Sequence, residues 1–181
     1  IDTIIYYGPK IFIKSGYQSA SSALFASVII GVINLIFTFV GIGTVDWFGR
    51  KSLLLAGLGG MGISIGFVGF AFQAQTLGTV WILVPILAYI AFFALSMGVV
   101  IWVYLSEIFP TKIRGRAMAI ATMVLWLSNV VVTQIFPAMM DTMGGNTFYV
   151  FAVICAVAFF FVWFMLKETK GRTLEEIERM W

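Results

Sequence analysis

The sequence predicts an all-α membrane protein, and two features of composition and one of patterning carry that expectation. Of 181 residues, 61% are hydrophobic and 10% charged, against the roughly 25% charged residues of a soluble domain. Mean hydropathy is +1.04. A globular protein needs a polar skin, so a chain this apolar has lipid as its main solvent. Five apolar runs of about 19 to 25 residues follow one another, each long enough at 1.5 Å per residue to cross a hydrocarbon core of about 30 Å. None alternates with period two, and an open sheet in lipid would leave backbone groups unsatisfied, so the runs read as helices.

In chain order, residues 1–14 are apolar and Tyr-rich but too short to span. The segment lacks an initiator Met and a basic n-region, so it reads as the outer end of a truncated helix, and the chain as a fragment. Complete spans are expected over about 22–45, 53–72, 81–105, 117–140 and 148–166, forming with the first segment one transmembrane bundle over 1–166. Residues 167–181 are expected to form a cytoplasmic tail helix. There Thr173 and Glu176 have capping-box spacing, and Glu175 stands four residues before Arg179, the spacing of a helical ion pair.

Orientation follows from the basic residues. Arg50, Lys51, Lys112, Arg114, Arg116, Lys167, Lys170, Arg172 and Arg179 fall on one side, Lys10 and Lys14 on the other. Positive charge accumulates in short cytoplasmic loops, so the first side is the cytoplasm and the C-terminus lies inside. Loops 73–80 and 141–147 then face outward.

Composition also excludes chemistry. With no His, His-based acid–base catalysis, Ser-His triads and His metal sites are closed. Cys155 is the single cysteine and, set in an apolar run, reads as a small packing residue. The net charge of +3 is too scattered to indicate nucleic acid. No nucleophile–base pair or metal cluster stands out, so the chain reads as neither an enzyme nor a cofactor protein.

The informative residues are polar groups at membrane depth: Asn34, then Ser96 with Gly98, then Trp126, Ser128, Asn129, Thr133 and Gln134. An unpaired amide in hydrocarbon costs several kcal/mol, so these face other helices or a wet cavity. Asp2 and Tyr6 are four apart and Trp126 and Asn129 three apart, so each pair shares a helix face. Phe93 and Trp102 lie nine apart, with Gly98 opening space four residues before Trp102. A cavity lined by aromatic plates and neutral amides suits an uncharged polyhydroxylated ligand, since rings cover C–H faces and amides both donate and accept. Singly, each amide can equally be glue between helices, and each Trp a packing or interfacial residue. In the second span Gly62 and Gly66 form a GxxxG step, which permits close helix contact and reads first as static packing.

Three inner segments mix acids with bases: Asp46 to Lys51, Glu107 to Arg116 and Lys167 to Arg172. Glu107, at the end of a span, is costly unless paired with Arg50, Arg114 or Arg116. Such pairs can form a latch that closes the inner side and parts when it opens. The plain alternative is surface ion pairs worth under about 1 kcal/mol each.

The strings Asp46-x-x-Gly49-Arg50-Lys51, Ser106-Glu107-Ile108-Phe109-Pro110 with Arg114-Gly115, and Glu168-Thr169-Lys170-Gly171-Arg172-Thr173-Leu174 resemble signatures of the sugar porter family of the major facilitator superfamily. The likeness runs end to end and covers helices seven to twelve. It implies the six-helix C-terminal bundle of a twelve-helix transporter, built of inverted three-helix repeats. The sugar site would lie between the two bundles, with most contacts from this half. By motif, Asp2, Tyr6 and Tyr7 resemble the helix-seven sugar segment, Asn34 the helix-eight amide, Phe93, Gly98 and Trp102 helix ten, and Trp126 with Asn129 helix eleven. Asp46, Arg50, Lys51, Glu107, Arg114, Arg116 and Glu168 become the cytoplasmic gating charges.

The implied function is transport of a monosaccharide or polyol by alternating access, through proton symport or facilitated diffusion, in the plasma membrane. The implied partners are that sugar, protons, the lipid bilayer and an N-terminal six-helix half. A sugar receptor of the same fold that signals without transporting is the alternative. Two departures stand out. Asp2 occupies a position where the family usually has Asn. Val99 and Ile101 occupy a stretch that is often Pro-rich, so helix ten is expected to bend less here.

Overall fold

Backbone polar groups within apolar runs of this length are satisfied internally only by helix formation, and a computed structural model of the chain shows that outcome. It describes residues 1–7, 20–74 and 80–178. Helix α1 covers residues 2–7. There follow α2 (Ala20–Phe48), α3 (Arg50–Ala74), α4 (Val80–Leu95), α5 (Val100–Ile108), α6 (Arg114–Met143), α7 (Asn146–Met165) and α8 (Leu174–Glu178). No strand occurs among the described residues. Among the described residues five helical stretches, with α4 and α5 counted together, are long and apolar enough to cross a membrane. Helices α2, α3 and α6 run a few residues past both ends of their apolar runs, because a helix continues into the interface where charged side chains can be solvated.

The third span differs from its expected form. Instead of one unbroken helix that bends little, α4 stops at Leu95 and α5 restarts at Val100. Gly98 N–H reaches back to Phe93 O at 2.9 Å and Val100 N–H to Ser96 O at 2.7 Å. No proline is involved. Ser96 Oγ donates to Phe92 O at 2.6 Å, a side-chain bond of the kind that bends helices. Fully buried Ser96 also sits in a notch of α3, where a Cβ on Gly57 would come within 1.7 Å of its Oγ.

Helix α3 is the spine of the bundle. Half of its membrane window is buried, against 6% for α6. Gly57 and Gly60 admit Ser96 and Phe92, while Gly62 and Gly66 meet Cys155 and Ala152 of α7. The GxxxG step therefore packs closely against α7. Around this spine, one apolar cluster centres on Ile65, Val68, Ile86, Ile90 and Phe148, and a second on Leu54, Leu58 and Val100.

The two ends differ in composition. One holds the α2–α3 corner, the end of α5 and residues 166–170, joined by Arg50, Glu107 and Glu168. The other joins Gln73 to Asn146 by a side-chain hydrogen bond. Lys10, Lys14 and Arg179 lie outside the described residues, and with Arg179 the pairing expected of Glu175. Within the described part of the tail, 167–178, the helix covers Leu174–Glu178, so residues 167–173 depart from the helix expected over 167–181. Gly171 has φ 72°, a left-handed conformation that interrupts a helix. The capping box forms as spaced, with Thr173 N–H on Glu176 Oε2 at 2.9 Å and Glu176 N–H on Thr173 Oγ1 at 3.3 Å.

Candidate functional site

A cavity of about 570 Å³ opens among α1 to α7, with α3 contributing Ile65, a size typical of small-molecule sites. On α2, Asn34 and Thr38 lie one turn apart and both face it. Thr38 Oγ1 donates to Asn34 O at 2.7 Å, so the hydroxyl is spent on its own helix. The Asn34 carboxamide has no hydrogen-bond partner among the described residues, so its donors and acceptor stay open toward the cavity.

On α6, Trp126 and Asn129 share the cavity face as their spacing predicts. Thr133 Oγ1 donates to Asn129 Oδ1 at 3.3 Å, and Asn129 Nδ2 donates to Asp2 Oδ2. This chain of bonds ties α1 to α6 and fixes which way the amide points. Phe93 on α4, Gly98 in the turn and Trp102 on α5 complete the wall. Trp102 and Trp126 remain 37% and 54% exposed, so much of each indole surface is open to contact.

Seven residues predicted for the site thus meet in one cavity: Asp2, Asn34, Phe93, Gly98, Trp102, Trp126 and Asn129. Tyr6 and Tyr7 do not line it. Sharing a face with Asp2 does not give Tyr6 the same depth, because one turn moves it about 5.4 Å along the axis; its side is 69% exposed. Tyr7 packs its ring on Phe136, centroids 5.7 Å apart. Gln134 is exposed and outside the lining.

Sequence reasoning missed Tyr89, whose phenol joins the wall one turn before Phe93. A polar tip at membrane depth was the available signal. It also missed Thr3 and Thr38; Thr38 bonds its own helix, as Thr44 and Thr142 do elsewhere in this chain.

At the charged end, Arg50 is the hub. Its Nη2 lies 2.7 Å and its Nε 3.1 Å from Glu107 Oε1, and Nη1 lies 3.0 Å from Asp46 Oδ1. Thr169 Oγ1 donates to Glu107 Oε2 at 2.6 Å. Glu168 accepts the backbone N–H groups of Arg50 and Lys51 at 2.9 and 3.0 Å, capping the start of α3 where a carboxylate is favoured by the helix dipole. Gly49, between α2 and α3, has φ 87°, and a Cβ there would lie 2.7 Å from Glu168 Oε2; glycine is required twice over. Lys51 Nζ donates to Trp163 O at 2.8 Å. Of the three partners considered for Glu107, Arg50 takes the role. Arg114 Nε instead reaches Phe109 O at 3.3 Å, and Arg116 is exposed.

A family model described as "Sugar (and other) transporter" matches residues 1–181. The D-xylose-proton symporter of Escherichia coli (strain K12) is 44% identical over 189 residues, covering 100% of this chain and 38% of the symporter. The glucose facilitated diffusion protein of Zymomonas mobilis subsp. mobilis is 41% identical over 188 residues, covering 100% and 39%. A solved structure of the proton:xylose symporter XylE bound to 6-bromo-6-deoxy-D-glucose superimposes with a TM-score of 0.89 at 42% identity, covering 99% of this chain and 39% of that one. The chain spans about two-fifths of the length of these relatives.

Proposed function

The chain belongs to the sugar transporter family, and from that premise we propose that it forms the sugar-holding half of an alternating-access transporter for a monosaccharide or polyol. The observation that carries the reading is the convergence of Asn34, Trp102, Trp126 and Asn129 on one cavity. Two indole faces supply apolar contact and two carboxamides supply hydrogen bonds, without requiring charge on the ligand. No bond is made or broken. Binding need only be modest: a millimolar dissociation constant corresponds to about 4 kcal/mol, and tighter binding slows release.

An N-terminal six-helix half closes the cavity from its open side in this reading. The thinly buried α2 and α6 supply apolar surface for that half and for lipid. The charged end faces the cytoplasm of a plasma-membrane protein, with the C-terminus inside, because basic residues gather there. The Arg50–Glu107–Glu168 cluster is the inner latch, holding α3, α5 and the segment after α7 together.

Uptake of labelled sugar by the full transporter is the test. Trp102→Ala and Asn34→Ala should each lower uptake about tenfold or more, the loss of roughly 1.4 kcal/mol or more of sugar contact, with membrane insertion intact. Near-normal uptake in both removes the site. Counterflow in vesicles separates a transporter from a receptor, which binds without flux. Proton symport and facilitated diffusion both appear in the relatives' names, and uptake with and without a proton gradient decides between them here.

A further inference from the structure

Among the described residues lining the cavity, Asp2 is the sole acidic side chain and none is Lys or Arg; the chain has no His. The carboxylate is held in place, not loosely exposed. Thr133 takes the oxygen of the Asn129 amide, which turns its Nδ2 toward Asp2 Oδ2. That amide offers a dipole but no charge. Asp2 Oδ1 keeps no hydrogen-bond partner among the described residues, and the polar groups across the cavity, Asn34 and Tyr89, are neutral. A carboxylate set in an apolar wall is stabilised most by a cation within hydrogen-bonding distance.

We propose that Asp2 is a specificity-determining residue that makes the cavity select sugars bearing a protonated amine over their neutral parents and reject sugars bearing a carboxylate or phosphate. The inference rests on the cavity being the sugar site. An amino sugar differs from its parent by one ammonium in place of one hydroxyl, so the same indole plates and amides hold both. The ammonium adds a charge-assisted hydrogen bond to Asp2, roughly twice the strength of a neutral one. An anionic sugar meets like charge, with no Lys or Arg side chain among the described lining residues to offset it.

The test is competition binding to the purified full transporter, with D-glucosamine, D-glucose and D-glucuronate as probes at a pH where the amine is charged. Glucosamine should bind about tenfold more tightly than glucose, and glucuronate should not compete. In Asp2→Asn the glucosamine-to-glucose ratio should fall to about one; in Asp2→Glu the preference should persist. Reading a ratio within each variant cancels any general loss of affinity. Equal binding of glucosamine and glucose by the unaltered protein overturns the proposal whether or not the variants fold. So does an unchanged ratio in Asp2→Asn. If neutral sugars bind and cross with no preference for the amine, this inference alone falls. If no sugar binds, the sugar-site reading falls with it.

Discussion

The charged end of the bundle and the cavity are both built from polar residues in an apolar chain, but they use them differently. At the charged end the protein satisfies itself: Arg50 is divided between Glu107 and Asp46, Glu168 caps α3, and Thr169 completes Glu107. In the cavity the Asn34 carboxamide meets no protein partner among the described residues, and the indoles of Trp102 and Trp126 stay partly open. A polar group whose bonds are closed internally holds structure. One whose bonds are left open at membrane depth has a cost that only a ligand, or the water it displaces, can offset. The two regions meet on α5, nine residues long, which carries Trp102 into the cavity and Glu107 into the charge cluster. A shift of that short helix, freed from α4 by the turn at residues 96–99, changes both at once.

The contrast implies opposite responses to mutation. The largest expected effect is at Arg50, whose side chain is 12% exposed beside a Glu107 at 17%. Arg50→Ala leaves a nearly buried carboxylate unpaired and should cost about 3 to 5 kcal/mol. A thermal unfolding midpoint in detergent, or the folded yield, reads this directly. Near-normal stability would mean that water or another cation reaches Glu107 and that the cluster is not closed.

Next is the notch that sets the α4–α5 turn. Gly57→Ala forces a methyl against Ser96 Oγ and should destabilise by about 1 to 3 kcal/mol. Gly62→Ala meets Cys155 Cβ at 3.4 Å, an ordinary contact, and should be close to neutral. Equal losses at the two positions would show that the turn does not depend on the close approach of α3.

How much of this the sequence disclosed depends on the range of the interaction. Helical spacing is local, so the pairing of Trp126 with Asn129 and the Thr173–Glu176 capping box were readable. The membrane-depth amides were readable because lipid makes them expensive. The partner of Glu107 was not: Arg50 lies 57 residues away, and sequence alone left three arginines as equals. The break at residues 96–99 was misjudged because proline was taken as its cause. The actual cause is Ser96 seated against Gly57 on another helix, a contact with no local signature. Tyr6 was misplaced for a related reason, since periodicity gives a face but no depth.

A third comparison isolates the cavity. Asn34→Leu removes an amide that bonds nothing among the described residues, so thermal stability should hold or rise slightly while sugar uptake falls about tenfold or more, as expected for Asn34→Ala. A parallel fall in stability would place Asn34 among the structural residues and erase the distinction between the two regions at that position.

The smallest effect tests the charged end from its rim. Asp46 lies 3.0 Å from Arg50 Nη1, yet its side chain is 76% exposed. Water competes for that carboxylate and salt screens it, so Asp46→Asn should cost under about 1 kcal/mol. Arg50 would retain its two-pronged contact with Glu107. Measured in low and high salt, the loss should shrink further as ionic strength rises, while the Arg50→Ala loss should barely move. A loss at Asp46 as large and as salt-insensitive as that at Arg50 would mean the acid is held out of water and belongs to the closed part of the cluster.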